Sequence, residues 1–157
     1  MNSFSEIIRE SGADDLDDIL SLYRDLHPDA PVPKSGLADR IYNQILANDF
    51  FKILLLQRDE SVVATCSISI IPNLTRGGRP YAVIENVVTT TGMRRQGLGS
   101  KIIRHAIDVA EKNNCYKIML LTGSGKEATH RFYQKLGFSG ADKTAYTIKK
   151  AVPEPLY

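Results

Sequence analysis

Tryptophan is absent from this chain of 157 residues, which has only two cysteines and three histidines. Two thiols, Cys66 and Cys115, are too few for a disulfide framework or for a zinc site built from cysteines alone. The histidines show no paired spacing, so we expect no metal site. No apolar run approaches the roughly 20 residues that span a bilayer, and residues 1–10 do not resemble a signal peptide. We therefore expect no membrane partner and a cytoplasmic location.

Excess charge of either sign is also lacking. Lys and Arg number 20 against 18 for Asp and Glu, which gives a net charge of +2 at pH 7. A nucleic-acid interface would have to rest on the basic residues between Arg94 and Arg104, and no base-stacking aromatic residues accompany them. We therefore predict that nucleic acid is not a partner. The length and the 43% hydrophobic content fit one domain, residues 1–157, with its own core.

The hydrophobic pattern changes its period along the chain. Apolar residues at helical spacing predict helices over Leu16–Leu26, Ser35–Leu46, Gly97–Lys112 and Lys126–Leu136. Apolar runs, several of them rich in β-branched residues, predict strands at Glu6–Arg9, Phe51–Gln57, Val62–Ile71, Tyr81–Thr90, Tyr116–Thr122 and Thr144–Ile148. This order of elements favours an α/β fold in which a mixed sheet carries helices on both faces.

The most informative segment is Val83–Ser100, where a predicted strand leads through a short loop into the longest predicted helix. Helix N-termini leave about four backbone N–H groups unpaired, and their partial positive charge suits a phosphate group. Gly97 and Gly99 lack a Cβ, so a bulky diphosphate can approach the backbone closely. Arg94 and Arg95 add attraction for an anion. The segment therefore predicts an anion site, most simply one for a pyrophosphate.

Two common phosphate motifs do not fit this segment. The Gly-Lys-Ser/Thr of the P-loop is absent, and so is the third glycine of the dinucleotide fingerprint. Arg94-x-x-Gly97-x-Gly99 resembles instead the signature with which Gcn5-related N-acetyltransferases (the GNAT family) hold the pyrophosphate of acetyl-CoA. Val87-Val88-Thr89 before it and Phe132-Tyr133 with Gly137-Phe138 after it are similar to further family elements. The resemblance implies a mostly antiparallel mixed sheet with a splayed pair of strands.

The resemblance also implies how acetyl-CoA is held. Backbone N–H groups would bind the pyrophosphate along a segment that we call the phosphate cradle, made of Arg95, Gln96, Gly97, Leu98, Gly99 and Ser100. Val87, Val88 and Thr89 would pair with the amide groups of pantetheine, much as an added strand does. An N–H near Val88 would polarise the acetyl carbonyl. Lys126 stands where many family members have an asparagine that contacts pantetheine, and it is a candidate for the 3′-phosphate instead.

The chemistry that the resemblance implies is acetyl transfer to a primary amine. Tyr133 matches the general acid of the family, which protonates the departing thiolate. The alternative is that Tyr133 only packs on the apolar face of its helix. Glu85 interrupts an apolar strand and is the candidate base, against the alternative of a solvated edge residue. His105 and His130 are weaker candidates, and transfer through water without a side-chain base is a further alternative.

The acceptor is less constrained by the sequence. Ile84–Val88 and Asn114–Ile118 look most similar to glucosamine-6-phosphate acetyltransferases, so an amino sugar phosphate is one candidate for the small-molecule amine. Other small amines and peptides are the alternatives. We expect the region Leu26–Asn43 and the loop Asn73–Tyr81, which contains two arginines, to line the acceptor pocket.

A function from a different class also fits the motif. A catalytically silent acyl-CoA-binding module would need the phosphate cradle but neither Tyr133 nor Glu85, so the presence of both residues favours the enzyme. A homodimer is favoured only on general grounds, because dimers are the commonest closed assemblies.

Overall fold

The computed structural model describes residues 4–150. Their helices and strands, in chain order, are β1 (Glu6–Glu10), α1 (Leu16–Leu26), α2 (Ser35–Leu46), β2 (Phe51–Arg58), β3 (Ser61–Ile71), β4 (Tyr81–Thr89), α3 (Leu98–Lys112), β5 (Ile118–Leu120) and α4 (Glu127–Lys135). Short 3-10 turns lie at Ala13–Asp15, Arg76–Gly78 and Thr91–Met93. The chain divides into two compact units, of which the first ends at Leu120 and the second begins at Leu121. The expectation of a single domain over residues 1–157 stays a prediction.

The five strands form one sheet in the first unit, in the order β1-β2-β3-β4-β5. The pairs from β1 to β4 are antiparallel, and β5 adds to β4 in parallel. This mixed, mostly antiparallel sheet confirms the predicted fold class. The parallel ladder joins Ala82–Ile84 to Ile118–Leu120, whereas β4 continues to Thr89. The two strands thus share only part of their length, as expected for the splayed pair.

Helices cover both faces of the sheet. Leu54 and Leu55 of β2 are fully buried and, as neighbours in a strand, point to opposite faces. Cys66, the β3 partner of Leu54, faces α3, and its Sγ lies 4.0 Å from a carbonyl oxygen of that helix. On the other face Leu55 packs with Ile19 of α1 and Tyr42 of α2. The prediction of helices on both faces is therefore confirmed.

The second unit contains α4 and an irregular segment after it. Gly137 has a φ of 95°, which L-amino acids with a side chain rarely adopt, and it ends the helix where the sequence predicts. The predicted strand Thr144–Ile148 is wrong: these residues form no strand, and Tyr146 and Ile148 are 93% and 89% exposed. Alternating residues supply only a local preference, and a strand also needs a neighbour for its backbone hydrogen bonds.

Candidate functional site

Strand β4 bulges just before the predicted contact residues. Its pairing with β3 passes from Ser67–Glu85 to Thr65–Val88, so β4 carries one more residue than β3 at this point. Asn86 absorbs the extra length with a φ of 52°. A bulge raises the local twist and re-aims the residues that follow it. Val87–Thr89 therefore lie on β4 beyond the β5 ladder and directly after a change of direction.

The loop that follows β4 is fastened to the end of α1. Arg94 donates from Nε to the carbonyl of Thr89 at 3.2 Å and from Nη2 to the carbonyl of Asp25 at 3.3 Å. The Asp25 carboxylate accepts the backbone N–H of Thr91 at 3.0 Å and the hydroxyl of Thr90 at 3.2 Å. The Thr91 N–H is the main reason why the pKa of Asp25 lies below its usual range. The Arg94 guanidinium thus holds the loop in place.

A second set of contacts fastens the same loop from β2. The side-chain oxygen of Gln96 accepts a hydrogen bond of 2.6 Å from Arg58. Glu6 in turn accepts hydrogen bonds from Arg58, at 2.8 Å, and from Lys101, and these lower its pKa, with Lys101 the larger cause. The side chain of Gln96, like that of Arg94, therefore has a protein partner. What the loop presents for an anion is mainly its backbone.

The backbone at the start of α3 has the geometry of an anion site. Gly97 caps the helix with a φ of 81°. The helical hydrogen bonds begin with the one from the Lys101 N–H to the Gly97 carbonyl, at 3.1 Å. The N–H groups of Leu98, Gly99 and Ser100 precede that bond and so have no carbonyl of their own helix to bind. The first turn contains no acidic residue. The phosphate cradle thus fits a diphosphate in conformation and in charge.

The candidate base Glu85 stands at the last regular pair before the bulge. Its side chain is exposed, and its carbonyl accepts a hydrogen bond of 3.2 Å from the Ser67 hydroxyl. Exposure suits both a base that works through water and a solvated edge residue, so its role stays a prediction. His105 is half-buried on α3, and His130 is exposed on α4.

The second unit holds the other two predicted residues. Tyr133 is half-buried on α4, and its ring packs edge-on against Phe132 and Phe138, with centroids 5.0 and 6.2 Å away. Lys126 is exposed at the start of the helix, where its N–H donates to the hydroxyl of Ser124 at 3.2 Å. Edge-on packing fixes the plane of the Tyr133 ring. The roles of Tyr133 and Lys126 stay predictions.

A cavity of about 280 Å³ lies in the first unit between α1, α2 and the segment that joins them. Most of its lining is apolar and includes Leu16, Ile19, Leu20, Val32, Ile41 and Ile45. Tyr23 and Asn86 also line it, and their side chains form a hydrogen bond. Burial raises the pKa of Tyr23 to about 12. The cavity thus reaches the β4 bulge, and its lining includes part of the Leu26–Asn43 region, whose place in an acceptor pocket stays a prediction.

Tyr23 and Asn86 were not among the residues that the sequence singled out. The helical spacing of α1 places Tyr23 on its apolar face, which indicates a core residue rather than a site residue. Asn86 follows Glu85 in an apolar strand, and an asparagine there is compatible with the left-handed conformation of a bulge. The two adjacent polar residues Glu85 and Asn86, in an otherwise apolar strand, were the sequence signal that could have identified this part of the site.

The loop Asn73–Tyr81 does not line this cavity. Arg79 donates from Nε to the carbonyl of Asn114 and from Nη2 to that of Cys115, both at 3.2 Å. The Arg76 guanidinium lies over the ring of Tyr116, 5.9 Å from its centre. Both arginines thus bind the segment before β5, and the expectation that this loop lines an acceptor pocket stays a prediction.

None of the helices between residues 4 and 150 is both long and apolar enough to cross a membrane. The same residues contain no group of three or more His, Cys, Asp or Glu side chains that could hold a metal ion.

Sequence comparison connects this geometry with one family. The family model described as Acetyltransferase (GNAT) family matches residues 16–138. A glucosamine 6-phosphate N-acetyltransferase of Trypanosoma brucei brucei is 34% identical over 92 residues, which are 59% of this chain and 60% of that protein. The first two curated relatives are matched over only 60% and 46% of their own length.

Structural comparison extends the match over nearly the whole chain. A solved structure from Agrobacterium tumefaciens str. C58, designated as an acetyltransferase, has a TM-score of 0.87 and 41% sequence identity. That match covers 92% of this chain and 99% of the other. An aminoglycoside N-acetyltransferase in complex with CoA has a TM-score of 0.78 at 17% identity, with 96% and 98% covered. At this lower identity the likeness shows the fold alone.

Proposed function

Because the chain belongs to the acetyltransferase (GNAT) family, we propose that it transfers the acetyl group of acetyl-CoA to a primary amine. The phosphate cradle is the observation that carries the proposal. It joins a left-handed glycine to a helix N-terminus without acidic residues, on a loop fastened by Arg94 and by Gln96. Such a backbone is preorganised for a diphosphate, so little ordering is needed when the nucleotide binds. Acetyl-CoA is then a co-substrate, and the reaction needs no metal.

Each candidate residue has a task in binding. The N–H groups of Arg95–Ser100 hold the pyrophosphate, and Arg94 keeps their loop against α1. Val87, Val88 and Thr89 offer backbone groups to the amides of pantetheine beyond the β5 ladder. Lys126 supplies a positive charge for the 3′-phosphate. The cavity beside Asn86 receives the acceptor.

The proposed transfer is direct and involves no acyl-enzyme. The amine nitrogen uses its lone pair to form a bond with the acetyl carbon, and an N–H near Val88 stabilises the oxyanion that results. The carbon–sulfur bond then breaks with its electron pair on sulfur, and Tyr133 donates a proton to that thiolate. Glu85 accepts the proton that the amine loses, directly or through water. The products are an N-acetyl amine and CoA.

The acceptor is proposed as the primary amine of a small molecule or peptide. On sequence similarity alone, glucosamine 6-phosphate is one candidate, because the relative from Trypanosoma brucei brucei is named for it. A homodimer and a cytoplasmic location remain predictions, and sedimentation of the purified protein tests the first of them.

The test measures binding and turnover separately. Calorimetry with CoA should show binding, and release of the CoA thiol should depend on the added amine. Replacing the phenol in Tyr133→Phe should lower kcat by roughly 10²–10⁴-fold, the contribution of a well-placed acid. Tyr146→Phe is the matched control, since Tyr146 is 93% exposed in the same unit. Unchanged kcat in Tyr133→Phe would remove Tyr133 from the mechanism.

Glu85 is tested in the same assay. Glu85→Gln should lower kcat and shift its pH profile, whereas Glu60→Gln, an exposed turn residue, should change neither. Tight CoA binding without turnover over a broad panel of amines would favour the silent acyl-CoA-binding module. Absence of CoA binding would contradict both functions.

A further inference from the structure

We infer that the acceptor of this protein is a primary amine with a compact apolar or aromatic body rather than an amino sugar phosphate. This inference rests on the proposed acetyltransfer and names the substrate class of the same site. It is carried by the cavity between α1 and α2, whose lining combines apolar walls with one uncharged polar end at the β4 bulge.

The polar end lies where an amine has to be presented. Asn86 sits at the bulge, next to Glu85 and one residue before the Val87–Thr89 segment proposed for pantetheine. The half-buried Tyr23 hydrogen-bonds through its phenol with the side chain of the exposed Asn86, so the two form an uncharged polar pair on the cavity lining. Such a pair can hold a neutral amine, which is the form that attacks a thioester.

The walls favour an apolar body. Ile19, Val32, Ile41 and Ile45 line the cavity, and they have no hydrogen-bonding side-chain groups. The second phenol of the lining, the buried Tyr42, donates its hydroxyl to the carbonyl of Gly12 at 2.6 Å and is thereby already satisfied. A sugar hydroxyl that faced Ile19 or Ile45 would leave water without gaining a partner, which opposes binding.

The cavity also lacks a built phosphate site. Its two basic side chains, Arg24 and His27, are exposed to solvent at the end of α1. The arginines of the Asn73–Tyr81 loop are bound elsewhere, to backbone carbonyls and to a tyrosine ring. A phosphate here would meet only solvated charges, which contribute little selectivity.

The experiment compares different amines as acceptors for the chain of 157 residues. 2-Phenylethylamine and 3-methylbutylamine are the apolar probes, and glucosamine 6-phosphate and ethanolamine are the polar ones. We expect kcat/KM for the apolar pair to exceed that for the polar pair by at least about tenfold, since filling an apolar pocket discriminates on this scale. Calorimetry with the CoA-saturated protein measures the Kd of 2-phenylethylamine directly, without turnover.

Variants locate the effect in the cavity. Val32 and Ile41 are 51% and 42% exposed, so the double variant Val32→Ser with Ile41→Asn makes the wall polar without emptying the core. The double variant should raise the Kd of 2-phenylethylamine at least about tenfold and leave the KM of acetyl-CoA unchanged. Ile7→Asn is the control, because Ile7 is 55% exposed on β1, outside the cavity.

The outcomes distinguish a failure of the inferred acceptor class from a failure of the proposed acetyl transfer. A higher kcat/KM for glucosamine 6-phosphate than for both apolar amines would overturn the inference while leaving acetyl transfer intact. So would a double variant that binds 2-phenylethylamine as tightly as the wild type. A protein that gives no calorimetric signal with CoA would instead contradict the proposed function.

Discussion

Replacing Gly97 by alanine tests the link between backbone conformation and nucleotide binding. Gly97 holds a φ of 81° at the start of α3, and a Cβ built on it would meet no atom within 4 Å. The effect of Gly97→Ala is therefore conformational and not steric. An L-residue in the left-handed region costs about 1–2 kcal/mol. Alanine also stiffens the unfolded chain, which returns about 0.4–1 kcal/mol of stability.

These magnitudes predict one of two measurable effects. If the loop keeps its conformation, the free energy of unfolding should fall by about 1 kcal/mol, the difference between the strain and the unfolded-state term. If the loop relaxes to escape the strain, binding of CoA must restore it, and Kd rises by roughly 5- to 30-fold. Asparagine tolerates a positive φ better than alanine does, so Gly97→Asn should fall between Gly97→Ala and the wild type.

The control for this prediction lies in the same loop. Gly92 also has no neighbour within 4 Å of a built Cβ, and its φ is not in the left-handed region. Gly92→Ala should thus keep both stability and affinity. Urea unfolding followed by tyrosine fluorescence gives the stability, and calorimetry gives the Kd of CoA. A Gly97→Ala variant that matched Gly92→Ala in both stability and CoA affinity would refute the conformational role of Gly97.

Three further outcomes follow from charge and burial. The pKa of Asp15 is held below its usual range, chiefly by hydrogen bonds from Arg9 at 2.6 and 2.8 Å. The stabilisation that this ion pair gives is therefore present above the unfolded carboxyl pKa and is lost as pH falls through the lowered value. Wild type and Asp15→Asn should thus converge in stability once the pH is below that lowered pKa, and equal differences at neutral and acid pH would contradict this. Asp25→Ala should release the Thr90–Thr91 backbone and raise the Kd of CoA several-fold. An unchanged Kd would show that the loop keeps its conformation without the Asp25 carboxylate. Burial raises the pKa of the Cys66 thiol to about 12, so iodoacetamide at pH 8 should label this thiol only after unfolding, as mass spectrometry can check.

The local parts of this site could be predicted because local rules fix them. An apolar strand that leads into Gly-x-Gly and an amphipathic helix determines where a helix N-terminus exposes its N–H groups. Gly97 and Gly137 both have the positive φ that their positions require. The apolar runs Phe51–Gln57 and Val62–Ile71 predicted two strands, and β2 and β3 contain those runs.

Contacts between distant residues could not be predicted in the same way. Asp25 meets Thr91 across 66 positions of sequence, and Arg58 meets Gln96 across 38. Nothing in the periodicity of either segment specifies such a partner. The arginine of the motif therefore suggested attraction for an anion, whereas the structure shows its guanidinium bound to carbonyl oxygens.

The sequence by itself determined the order of elements up to α4, the end of that helix before Gly137 and the position of the helix N-terminus at Gly97, since each depends on residues within a few positions of one another. Only the tertiary structure decided that α1 and the β4 bulge border one apolar cavity and that residues 144–148 form no strand. The physical reason is that burial and strand pairing depend on which distant segments meet. The hydrophobic periodicity of a segment indicates which of its faces is buried or that its backbone is extended. Which distant segment packs or pairs with it depends on the folded chain.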